Sequence, residues 1–75
     1  MKKKELHPLV YKVGKLIKQH REEQNMTQTD LSKLSGVEKS SISRIESGEY
    51  LEFQLKTIVK LFVALKIPFA TLDDL

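Results

Sequence analysis

Two short amphipathic patterns, residues 27–34 and 38–47, are separated by the break Ser35-Gly36-Val37, and this arrangement constrains the fold more than any other feature of the chain. Glycine enters positive φ without the Cβ clash that other residues meet, so Gly36 permits a tight reversal between consecutive helices. Thr27 is suited to cap the first of these helices, with Asp30 three residues on completing a variant capping box. Leu31 and Leu34 are expected to face inward. The second pattern runs from about Glu38 to Ser47 and stops at Gly48, with Ile42 and Ile45 at its back.

The flanking segments supply the partners this pair needs. Pro8 fits the first position of a helix, where a missing N–H is harmless. Leu9, Val13, Ile17 and His20 then recur at helical spacing, widened by Leu16, and Asn25 is a plausible left-handed stop. His20 reads as a histidine at the edge of the core rather than a ligand. Glu49 to Phe53 reads as a loop. A further helix is expected from about Gln54 to Lys66, with Leu55, Ile58, Leu61, Phe62 and Leu65 on one side. Pro68 breaks it, and Phe69 to Leu75 can form a last short turn. No period-two stretch argues for a strand, so the fold class is all-α. The chain has 75 residues and no cysteine, which allows one domain held by an apolar core without disulfides or thiolate-bound metal.

At about 100° per residue, Lys39, Ser40, Ser43, Arg44 and Ser47 fall on one face of the 38–47 helix, and that face carries no apolar residue and no acid. On an isolated helix this is a solvated surface. After a capped partner helix and a glycine turn it suits the DNA major groove, where Arg and Lys can donate to guanine O6 and N7. Serines let the helix approach closely but specify little. Charge agrees: residues 1–48 carry ten Lys/Arg against six Asp/Glu, and residues 49–75 carry three against four. Glu46 falls beside Ile42 and should be partly buried, and a buried carboxylate needs a partner. Sequence geometry alone does not name it, and Arg21 on the first helix is one candidate.

These residues resemble the phage repressor and Cro family of helix-turn-helix domains, often called Xre-like. The resemblance rests on Val13-Gly14-Lys15-Leu16-Ile17-Lys18, Arg21, Met26-Thr27-Gln28, Asp30-Leu31-Ser32, Gly36-Val37, the run Ser40 to Gly48, Thr57 to Leu61 and Ala64-Leu65. It covers about Val13 to Leu72. It implies a lambda-repressor-like compact bundle of about five short helices, with the third in the major groove. It also implies base reading by Lys39, Ser40, Ser43 and Arg44, and backbone contacts by Lys15, Thr27, Gln28, Ser41 and Ser47. Arg21 and Glu46 match the family's ion pair between helices 1 and 3. The departures are Glu38 where Ser or Thr usually caps helix 3, acidic Glu49 and Glu52 in the following loop, Phe53 and Lys66 around helix 4, Phe62 for a usual alanine, and His20 for a usual leucine.

The fourth helix is apolar on more sides than one core contact needs. Val59 and Val63, with Phe62, Ile67 and Phe69, read as surplus apolar surface suited to a dimer. The resemblance places that interface at Leu51, Phe53, Ile67 and Phe69. The expected organisation is a basic N-terminal tail at 1–7 and a helix-turn-helix DNA-binding domain at 8–75. The expected function is sequence-specific transcriptional regulation, as a repressor, by a cytoplasmic homodimer on double-stranded DNA bearing a pseudo-palindromic operator. The alternative is an antitoxin-type module that binds a partner protein, a toxin, and autoregulates its operon. No cofactor or metal is implied: only His7 and His20 are present, with no phosphate-binding glycine loop, and this pattern also argues against an enzyme. No apolar run approaches the roughly 18 residues of a membrane span.

Overall fold

The structure, a computed structural model, describes residues 8–48 and 54–74, and of Pro8 and Leu9 the backbone alone. Four α-helices and one 3₁₀ helix follow in order: α1 Pro8–Glu23, α2 Gln28–Ser35, α3 Lys39–Ser47, α4 Leu55–Leu65, and the 3₁₀ helix Phe69–Asp74. No strand occurs among the described residues. The basic tail expected at 1–7 lies outside the described residues, as do Glu49, Leu51, Glu52 and Phe53.

Local chemistry sets each boundary. Asn25 takes the left-handed conformation after α1, with φ 59°. Thr27 caps α2: its Oγ1 accepts from the Asp30 N–H at 3.0 Å, and the Asp30 carboxylate accepts from the Thr27 N–H at 2.9 Å. The Thr27 N–H, aided by the Thr27 side chain, holds the Asp30 pKa below its ordinary value, because donation to the carboxylate favours its ionised form. Gly36 ends α2 at φ 82°, and its N–H donates to the Ser32 carbonyl at 2.9 Å. The turn is tied further by the Ser32 hydroxyl, which donates to the Val37 carbonyl at 2.6 Å, and by the Val37 N–H, which donates to Ser35 Oγ at 3.1 Å. Gly48 closes α3 at φ 81°. Glu38 stands at the N-cap of α3 and makes no side-chain capping bond.

α1 packs across α3, and α2 lies against both α3 and α4. The core is Val13, Ile17, Leu31, Val37, Ile42, Ile45, Ile58, Leu61, Phe62, Leu65 and Ile67, with Leu16, Met26, Ala64 and Leu72 packed at its edge. His20 is half-buried. Phe62 fills the centre, fully buried, and its ring stacks on Phe69 at 5.5 Å between centroids.

Several expectations change. Leu34 does not face inward: it is 58% exposed, because α2 turns Leu31 to the core and leaves Leu34 at the edge of its contact with α4. Leu55, expected on the core side, is exposed at the first turn of α4. Phe62 and Ile67 do not belong to the apolar surplus. Lys66 reverses the chain with φ 61°, the Ile67 N–H donates to the Phe62 carbonyl at 2.9 Å, and the Ile67 side chain is turned under α4 into the core. The exposed apolar surface of this end is Val63 and Phe69, with Val59 at the edge.

Candidate nucleic-acid interface

α3 is seated by contact with α1 at backbone distance. A Cβ placed on Gly14 would overlap the Ile45 carbonyl oxygen, so only glycine allows the two helices to lie this close. About two turns further along α1, Arg21 reaches across the same seam. Its Nε donates to Glu46 Oε2 at 2.8 Å and its Nη2 to Glu46 Oε1 at 3.0 Å, a two-pronged contact between side chains 10% and 3% exposed. The third nitrogen, Nη1, donates to the Met26 carbonyl at 2.7 Å and fixes the chain leading into α2. The hydrogen bond to Glu46 raises the Arg21 pKa against the opposing effect of burial, so the guanidinium stays charged.

Glu46 Oε1 also accepts from Gln28 Nε2 at 3.0 Å. One carboxylate therefore ties the start of α2, the end of α3 and the last turn of α1. Gln28 spends one of its two amide N–H bonds here and keeps a second for another acceptor.

The outer face of α3 is free of these constraints. Lys39, Ser40, Ser43 and Arg44 are all exposed, while Ile42, Ile45 and Glu46 are buried behind them. Ser41 is half-buried. Ser47 is exposed and its hydroxyl donates to the Arg44 carbonyl at 3.1 Å. Thr27 is exposed at the α2 N-terminus. A depression of about 350 Å³ beside this face is lined by Lys18, Arg21, Glu22, Gln28, Ser43, Glu46 and Ser47. The structure thus brings Gln28, Ser43 and Ser47 together. Lys15 lies apart from them: its ammonium sits 5.1 Å from the centre of the Tyr11 ring, and it borders a separate depression with Lys18, Gln19, Glu22 and Glu23.

A family model described as helix-turn-helix matches residues 17–72. The chain belongs to the Xre-like helix-turn-helix family. Among solved structures it is similar to a crystal structure of a tyrosine-to-phenylalanine mutant of the restriction-modification controller protein C.Esp1396I, with a TM-score of 0.81 and 27% identity over 93% of this chain and 87% of that one. No functionally curated protein matches the sequence. As an Xre-like helix-turn-helix protein the chain is a DNA-binding regulator of transcription.

Two residues of the interface were not singled out from the sequence. Gly14 carried a signal, since glycine inside a helix costs about 1 kcal/mol relative to alanine and calls for a packing reason. Lys18 lies three residues before Arg21, so both share one face of α1, but only the packing of α1 on α3 shows that this face borders Gln28 and Ser43.

Proposed function

We propose that this protein is a sequence-specific repressor that binds a pseudo-palindromic operator as a homodimer, with α3 in the major groove. The observation that carries the reading is the outer face of α3, where Lys39, Ser40, Ser43 and Arg44 stand exposed without an acid among them on a helix fixed by Gly14 and the Arg21–Glu46 pair. Arg44 and Lys39 supply the donors that distinguish guanine, and the two serines allow close approach. Lys18, the second amide N–H of Gln28, and Thr27, Ser41 and Ser47 face the DNA backbone, with Lys15 further along α1. Phe69, 49% exposed and backed by the Phe62 ring, is the described residue suited to the two-fold contact. Such a dimer spaces its two reading helices by about 34 Å, one turn of DNA. Occupancy of the operator is the repressing act.

Selection of bound sites from a random DNA pool tests this reading. An inverted repeat is the expected product, and no enrichment at low salt would refute it. On the selected site, Arg44→Ala should lose about 1–3 kcal/mol and relax one position in each half-site. Lys18→Ala should weaken all sequences alike and reduce the salt slope by about one unit. Light scattering should show a dimer that Phe69→Ser weakens.

A second reading, an antitoxin-type module that binds a partner protein and represses its own operon, is favoured by one observation: apolar side chains of α2 and α4 face each other across an open groove.

A further inference from the structure

An apolar groove lies between α2, α4 and the end of α1. It measures about 600 Å³ and is open along one side. Met26, Leu34, Val59, Val63 and Ala64 form its walls. Leu34 and Val63 are 58% and 63% exposed, one on each wall, where two helices that pack together would be expected to close over such residues. Exposed apolar surface arranged in this way is a contact surface rather than a random scatter.

Charge identifies what fits it. The ionisable side chains lining the groove are Lys60 and Lys66, both exposed, with no acid among the lining residues. Lys66 is an unusual choice. It occupies the left-handed position that ends α4, with φ 61°, where glycine is the unstrained residue. A strained lysine at this rim places an ammonium beside an apolar floor. Val59 to Lys66 spans about two helical turns, the footprint of a short helix laid along the groove by one apolar face. The groove shares no lining residue with the depression that borders α3.

We infer that the α2–α4 groove is a docking site for an acidic amphipathic helix of a partner protein, its apolar face on Leu34 and Val63 and its carboxylates on Lys60 and Lys66. Because the two surfaces are separate, partner and DNA can be held together. The inference does not depend on the DNA-binding reading.

The test uses the full chain and two labelled helical peptides with identical leucines at i, i+3, i+4 and i+7, one carrying glutamate at the remaining positions and the other lysine. Fluorescence anisotropy should show saturable binding of the glutamate peptide, at least about fivefold tighter than the lysine peptide, from two surface charge contacts. Amide shift changes should centre on Leu34, Lys60, Val63 and Lys66. Val63→Asp should abolish binding, and the double variant Lys60→Glu with Lys66→Glu should reverse the preference while circular dichroism shows an unchanged helical fold. Equal binding of both peptides, binding of neither, or shift changes centred on Phe69 would overturn the proposal. So would self-association in the absence of peptide that Val63→Asp removes, which would assign the groove to a second copy of this chain.

Discussion

The seam between α1 and α3 and the seam between α2 and α4 are built by opposite means. At the first, backbone approaches backbone at Gly14, and a buried two-pronged ion pair locks the register. At the second, Leu31 reaches the core while Leu34 and Val63 stay in solvent and a groove remains. The tight seam holds α3, the helix proposed to read DNA, where a small misplacement would move every donor. The loose seam lies away from that helix, and surface left uncovered there does not disturb it. Rigidity in this small domain is concentrated where orientation matters.

The largest effect expected from breaking this contrast is at Arg21. Arg21→Ala leaves Glu46 buried with Gln28 but without its countercharge, and the Met26 carbonyl without its donor, and should cost about 3–5 kcal/mol, seen as a large fall in the urea midpoint. Gly14→Ala should follow at about 3 kcal/mol, because the added methyl must push α3 away at Ile45; DNA affinity should fall even where the protein remains folded. A loss below half a kcal/mol at either position would mean that the α1–α3 seam is as pliant as the other.

The loose seam should answer differently. Lys66→Gly relieves the left-handed strain, worth about 1–2 kcal/mol, against a glycine entropy cost of about 0.5–1 kcal/mol. Thermal unfolding should rise by the equivalent of roughly 0.5–1 kcal/mol, while the acidic peptide binds more weakly. Leu34→Ser should change stability by less than about 0.5 kcal/mol, since its side chain already faces water. A cost near that of a core leucine would show the groove to be closed in solution.

How much of this was legible in the sequence depended on the range of the interaction. Asn25, the Thr27–Asp30 box, Gly36 and Gly48 act on their own turn of chain, and each stands where the local pattern placed it. For the Arg21–Glu46 pair, burial of the carboxylate called for a cation without naming it, and the family resemblance pointed to Arg21. Leu34, Leu55 and Ile67 were misjudged because helical spacing says which residues share a face, not how wide a strip the neighbouring helix covers. The strip is narrow over α2, fails to reach the first turn of α4, and is extended past α4 by the reversal at Lys66.

By itself the sequence determined the helices, their stops, the all-α class and the polar face of α3, because these follow from backbone conformation and side-chain periodicity within a few residues. Tertiary structure alone decided that Gly14 lies against the Ile45 carbonyl, that Gln28 shares Glu46 with Arg21, that Lys18 rather than Lys15 borders the depression beside α3, and that a lysine-rimmed groove stays open between α2 and α4. Each of these is a distance between segments remote in the chain, fixed by how closely helices can approach, and no local pattern encodes it.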